Sequence, residues 1–239
     1  MCTVSFVPNN EEYIFTFSRD ENMNRTTPVF DAVKKLEHKN MYYAKDVKAG
    51  GSWFVVDDKG NLAMLFNGAF VKHAKAMHYS KSRGVILLEL FANSDCLLAF
   101  MQYNFVEVEP FSIILFQKNK LYRLVWDGAA TTTIELSKNV THIFSSATLY
   151  STTIAESRSN WLKDYMEKNT PINKDVIFNF HTSYNLTDIE NGLVINRNNI
   201  TCTLSISQAV ISSHQTIVKH FDVVSGSVIE NKIQLYSEV

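Results

Sequence analysis

Alternating apolar and polar positions predict antiparallel hairpins along much of the chain. Three pairs of segments rich in β-branched and aromatic residues flank short turns: 3–7 with 13–18, 52–56 with 62–66, and 111–116 with 121–126. The second turn contains Asp57, Asp58, Gly60 and Asn61, residue types that favour tight turns and positive φ. We therefore expect hairpins at these three places.

Helical spacing of apolar residues appears between and after the hairpins. It occurs in three segments: 83–92, 94–104 with Ser94 as its N-cap, and 153–169. The pattern at 175–181 leaves helix and strand both open, and 192–236 predicts several strands separated by turns. Helices and hairpins in this order indicate an α+β layered fold, with one domain over residues 1–239.

Composition and charge exclude several classes of protein. With 46% hydrophobic and 20% charged residues, the chain has the composition of a globular protein. Its 23 basic and 24 acidic residues leave a net charge of -1, so no chain-wide basic surface for nucleic acid is predicted. The apolar runs fall short of the ~20 residues of a membrane-spanning helix, and the N-terminus lacks the regions of a signal peptide. A cytoplasmic location is therefore expected.

The three cysteines and the histidine spacing bear on redox and metal chemistry. Cys2, Cys96 and Cys202 are odd in number and far apart, which argues against a disulfide framework. Cys96 and Cys202 lie among apolar residues and are predicted to be buried structural thiols. His73 and His78 match no zinc motif, so neither a metal nor a cofactor is predicted.

Cys2 is the first candidate for chemistry, because removal of Met1 would leave a thiol and a free α-amine on one residue. An α-amine with a pKa of about 7.7–8.0 can accept the proton of a thiol with a pKa of about 8.5. The return of the first hairpin would bring Arg19 and Asp20 close to the N-terminus. There a guanidinium favours the thiolate and a carboxylate orients the amine. The alternatives are a chance cysteine after the start methionine and an ordinary polar hairpin end.

Five short motifs carry a resemblance to a known family. They are Met-Cys-Thr-Val-Ser-Phe at the start, Ser18-Arg19-Asp20-Glu21 followed by Arg25 and Pro28, Gly50-Gly51-Ser52-Trp53, Asn67, and Ser82-Arg83-Gly84. In this order they resemble the NRDE family, whose eukaryotic members are called transport and Golgi organisation proteins. The family is named after Asn-Arg-Asp-Glu.

The chain departs from the family pattern at several positions. Ser18 replaces the first Asn, the Arg-Pro pair is loosened, and Phe66 precedes Asn67 where Thr is usual. Beyond residue 92 the resemblance is faint. Ser146 stands where the family has an Asn, and the expected Gly-Thr-Arg appears only as 200–203, without the basic residue.

The resemblance implies a four-layer αββα sandwich of the N-terminal-nucleophile hydrolase type, related to the bile-salt and penicillin V amidases. It implies that Cys2 attacks the carbonyl of a non-peptide amide in a small molecule. Arg19 and Asp20 would hold the thiol and the amine, and the Asn67 side chain would donate to the oxyanion.

A basic stretch supports a second hypothesis. Lys72, Lys75 and Arg83 occur with no acidic residue before Glu89, so this segment could steer phosphates or carboxylates to the pocket. With Ser146, these residues are predicted to bind substrate, although a solvated surface explains them equally well. Eukaryotic relatives are linked to haem handling and to acyl-CoA or lipid homeostasis. The alternative function is therefore a non-catalytic carrier of acyl-CoA, haem or another amphipathic anion.

Overall fold

The computed structural model describes residues 2–25, 30 and 32–236, so Met1 and Pro28 of the motifs lie outside the described residues. Within these ranges the strands are β1 Cys2–Asn9, β2 Glu12–Asn22, β3 Ala32–Lys35, β4 Asn40–Tyr43, β5 Phe54–Asp57, β6 Leu62–Asn67, β7 Phe111–Gln117, β8 Lys120–Trp126, β9 Thr131–Leu136, β10 His142–Ser145, β11 Asn196–Arg197, β12 Thr201–Ile211, β13 Gln215–Asp222 and β14 Val228–Gln234. The helices are α1 Arg83–Phe91, α2 Cys96–Gln102, α3 Thr152–Lys168 and α4 Lys174–Ser183. The helix–strand order is that of an α+β chain.

The strands form two antiparallel sheets. One sheet has the order β10-β1-β2-β12-β13-β14, with β11 paired to β12. The other runs from β3 to β9 in sequence order. In the first sheet Cys2 lies opposite Arg19, and Thr203 of β12 lies opposite Asp20. The start of β1 is therefore flanked by the end of β2 and the beginning of β12.

Alternation along the strands decides which residues face which layer. Phe6 and Phe17 of the first sheet pack with Phe54 and Met64 of the second in a core between the sheets. Helices α1 and α2 cover the outer face of the second sheet, and α3 and α4 cover the outer face of the first. The αββα layer order is thus confirmed.

The three predicted hairpins, the helices at 83–92 and 153–169, and the burial of Cys96 and Cys202 are also confirmed. The N-cap predicted at Ser94 is wrong. Helix α2 begins one residue later, because the Asp95 carboxylate accepts a hydrogen bond from Leu98 N at 3.0 Å. The ambiguous segment 175–181 belongs to helix α4, whose N-cap is Asn173.

Four strands were not predicted, namely β3, β4, β9 and β10. Each is short, and β9 and β10 lie at sheet edges with largely exposed or half-buried residues, so no strict apolar alternation marks them. Among the described residues, no helix combines the length and apolar character needed to cross a membrane.

Candidate active site

A small polar cavity opens where β1 begins and where β2 and β6 end. Its volume is about 120 Å³. All five sequence motifs contribute to its lining, through Cys2, Arg19, Glu21, Arg25, Gly51, Ser52, Trp53, Asn67, Ser82, Arg83 and Gly84. The fold therefore brings together segments that are far apart in the sequence.

Cys2 lines this cavity and is 4% exposed. Burial raises the pKa of its thiol to about 11, so the thiol is protonated at neutral pH. The backbone is held as well, since Ser146 N donates to Cys2 O at 2.9 Å. A reaction through this sulfur needs a base that removes its proton.

Arg19 faces the same cavity from the neighbouring strand. Its Nη2 donates to Asp46 Oδ2 at 3.2 Å, and Arg25 Nη1 donates to the same oxygen at 2.8 Å. The guanidinium carbon of Arg19 lies 4.2 Å from the centre of the Trp53 ring. The positive charge of Arg19 lowers the pKa of the Cys2 thiol, although burial outweighs it. No hydrogen bond joins these two side chains in the described chain.

Asp46 is a site residue that the sequence reasoning missed. Its Oδ1 accepts hydrogen bonds from Lys48 N and Ala49 N, both at 3.0 Å, while Oδ2 holds the two arginines. Burial alone would raise the pKa of Asp46, but the Ala49 N–H and the two guanidinium charges keep it below its usual value. The available signal was an Asp a few residues before Gly50, which has a φ of 70° and closes the turn.

The glycines of two motifs allow two backbone segments to touch beside the cavity. Ser52 N donates to Gly84 O at 3.1 Å. A Cβ on Gly51 would stand 2.3 Å from the carbonyl carbon of Gly84. A side chain at this position would push apart the segments that carry Trp53 and Arg83.

Asp20 does not line the cavity, because it follows Arg19 on β2 and points to the opposite face, towards the helices. Its carboxylate accepts hydrogen bonds from Tyr150 and Thr203, both at 2.7 Å. Burial raises the pKa of Asp20, and the positive charge of Arg158 opposes this shift. A cation from α3 thus acts on Asp20, although this chain lacks the basic residue that the family pattern places near 200–203.

Asn67 ends β6 and lines the cavity, and its side-chain amide has no hydrogen-bond partner within the described residues. The Ser146 hydroxyl donates to the backbone oxygen of Asn67 at 2.6 Å. Ser146 itself is fully buried and outside the cavity lining. It links the backbones of Cys2 and Asn67, and its predicted contact with substrate stays a prediction.

The basic stretch is only partly at the cavity. Arg83 belongs to the lining, and its Nη2 forms an ion pair with Glu109 at 2.9 Å. Lys72 and Lys75 are exposed and are not part of the lining. Their role in steering a ligand stays a prediction. In the ranges that the structure describes, no cluster of three or more His, Cys, Asp or Glu residues is arranged to hold a metal ion.

A protein family and solved structures of similar fold match this chain. The model of the family described as "Transport and Golgi organisation 2" (TANGO2) matches residues 1–228. No curated protein matches the sequence. Two solved structures of similar fold are a mutant and a variant of the conjugated bile acid hydrolase from Clostridium perfringens. The mutant has 10% identity and a TM-score of 0.47, covering 100% of this chain and 99% of that one. The variant has 9% identity and a TM-score of 0.49, covering 99% of each chain.

Proposed function

Because the chain belongs to the TANGO2 family, we propose that it is a cysteine hydrolase of the N-terminal-nucleophile type. It would cleave a non-peptide C–N amide bond in a small molecule after Met1 has been removed. The observation that carries this proposal is the cavity in which the Cys2 thiol faces Arg19 and the unpaired amide of Asn67.

The first step activates the nucleophile. The free α-amine of Cys2 takes the proton of the thiol as the sulfur attacks, because a buried thiol stays protonated until a base removes its proton. The Arg19 charge stabilises the developing thiolate. Asp20, held by Tyr150 and Thr203 on the other face of the strand, offers a carboxylate to the ammonium group that forms.

The sulfur then adds to the amide carbonyl carbon, and the carbonyl oxygen becomes an oxyanion. The Asn67 amide N–H donates to this oxyanion. The intermediate collapses by breaking the C–N bond, and the ammonium of Cys2 transfers its proton to the leaving amine. A water molecule, deprotonated by the same amine, hydrolyses the thioester, which releases the acid and restores the thiol.

Amine release from a panel of small amides tests this function. The processed wild type should turn over at least one member of the panel, whereas Cys2→Ala should fall to background because no other thiol lines the cavity described. Cys96→Ala is the matched control, since Cys96 is equally buried but lies at the start of α2. Equal turnover by Cys2→Ala and wild type would contradict the mechanism.

The carrier hypothesis has less support from this cavity. Its volume of about 120 Å³ is below the roughly 300–1,000 Å³ of pockets that enclose drug-sized ligands. Lys72 and Lys75, the expected charged rim, are not in its lining. A carrier should bind its ligand equally well after Cys2→Ala, and titration of haem and of an acyl-CoA into wild type and variant separates the two functions. The expected cytoplasmic location is part of the proposal and is tested by cell fractionation.

A further inference from the structure

Two buried N–H donors at the cavity have no acceptor. They are Nη1 of Arg19 and Nε1 of Trp53, neither of which has a hydrogen-bond partner within the described residues. The exposed fractions of these residues are 4% and 6%, so bulk solvent does not replace the missing acceptors. Because buried donors without partners are costly, their presence together at a cavity indicates that a ligand supplies the acceptor.

The two residues that carry these donors are in contact. Arg19 is stacked on the Trp53 ring, with 4.2 Å between the guanidinium carbon and the ring centre, and both residues line the cavity together with Cys2. The other terminal nitrogen of Arg19, Nη2, is already occupied by Asp46. The Nη1 atom is thus the one left for a ligand.

The free donor of Arg19 belongs to a charged guanidinium group, and such donors bind an anionic acceptor more strongly than a neutral one. Arg19 and Arg25 donate to one and the same oxygen of Asp46, at 3.2 and 2.8 Å. Glu21 stands 4.0 Å from Arg19 and 3.9 Å from Arg25, beyond hydrogen-bond distance. Glu21 and Asp46 together balance the charge of the two guanidinium groups, but Arg19 Nη1 has no hydrogen-bonded carboxylate among the described residues.

The size of the cavity limits what can carry the anion. A space of about 120 Å³ accommodates a small anionic group beside the reacting carbonyl. A carboxylate has two oxygens in one plane, one for each donor, and bonds to a charged acceptor are stronger than neutral ones.

We propose that Arg19 Nη1 and Trp53 Nε1 together bind a carboxylate of the substrate, which lies a few atoms from the scissile carbonyl. This inference rests on the proposed function, because the bound molecule is a substrate only if the protein is a hydrolase. The carboxylate site itself is a binding property and can be measured without turnover.

The experiment uses Cys2→Ala protein, so that binding is measured without reaction. Calorimetric or NMR titration compares N-acetylglycine with N-acetylglycinamide, which has a similar size and no charge. The acid should bind more tightly than the amide. Trp53→Phe, added to Cys2→Ala, keeps an aromatic ring for Arg19 and removes the N–H together with part of the indole. It should weaken binding of the acid by about ten-fold or more and leave binding of the amide unchanged.

The control is Trp161→Phe in the same background, because Trp161 lies on α3 outside the cavity lining. It should change neither affinity. Equal affinity of acid and amide, or an unchanged affinity for the acid in Trp53→Phe, would overturn the proposal. Tighter binding of inorganic phosphate than of N-acetylglycine would overturn the assignment to a carboxylate. Normal binding of the acid with no amide turnover by the wild type would instead contradict the hydrolase function alone.

Discussion

His181 joins helix α4 to the two strands that carry the candidate site, and this contact makes a specific prediction about acid stability. Its two ring nitrogens each lie 2.8 Å from a serine hydroxyl, Ser5 on β1 and Ser18 on β2. The residue is fully buried. Burial, together with the charge of Arg158, lowers the pKa of His181 from 6.5 to about 3. The neutral ring can accept a hydrogen bond at one nitrogen and donate one from the other.

The sign of the pH effect follows from this depressed pKa. Between pH 6.5 and about 3 the unfolded chain binds a proton at His181 and the folded chain does not. The stabilisation is complete above the unfolded pKa and is lost as the pH falls through this window. With these two pKa values the loss at pH 5 amounts to about 2 kcal/mol.

Urea unfolding of wild type and His181→Gln at pH 7 and pH 5 measures this loss. Glutamine offers one donor and one acceptor but does not titrate. The wild type should therefore lose about 2 kcal/mol more than the variant between the two pH values. His214→Gln is the control, because His214 is exposed and should leave the pH dependence of the wild type unchanged. If wild type and His181→Gln respond equally to acid, then His181 is not a buried neutral group and the reasoning fails.

Four further substitutions test two residues at the site and the N-cap of α2. Gly51→Ala should cost about 1–3 kcal/mol in urea unfolding, because its Cβ would stand 2.3 Å from the carbonyl carbon of Gly84. Unchanged stability would contradict the backbone contact. Asp46→Asn should keep the turn, since Asn also accepts backbone hydrogen bonds, but should lower amide turnover because the arginines lose their shared charge partner. Full amide turnover by Asp46→Asn would contradict this role of Asp46. Asp95→Ala should cost about 1 kcal/mol and Ser94→Ala almost nothing, and the reverse order would reassign the cap.

The sequence predicted those parts of the fold in which the pattern of apolar and polar residues matches the burial of the side chains. The first hairpin has strong alternation and a turn of polar residues, so its position and the return of residues 18–21 to the N-terminus follow from pattern. The exact pairing of Cys2 with Arg19 comes from the structure. Strand β9 carries Thr131 to Leu136 at a sheet edge, with most residues exposed, and no apolar periodicity identifies it. Its pairing is decided by the neighbouring strand β8.

The sequence motifs predicted most residues of the candidate site. They could not predict a residue whose role depends on contacts between distant parts of the chain. Cys2, Arg19, Asn67 and Arg83 were expected and all line one cavity. Asp46 was missed because its importance comes from reaching two arginines that are more than 20 residues away in the sequence.

Predicting where the Asp20 side chain points requires strand alternation as well as its closeness to Arg19 in the sequence. Consecutive residues of a strand point to opposite faces, so Arg19 and Asp20 cannot both reach the thiol. Similarly, Lys72 and Lys75 follow Asn67 closely in the sequence, but the chain carries them to the surface.

The central claim is that Cys2 acts with its own α-amine, and the N-terminal residue of the protein purified from its native host tests it most directly. Intact-mass measurement should give a chain that is lighter by one methionine residue and begins with unmodified Cys2. A chain that retains Met1, or one whose α-amine is acylated, has no free amine to take the thiol proton. Either result would contradict the account.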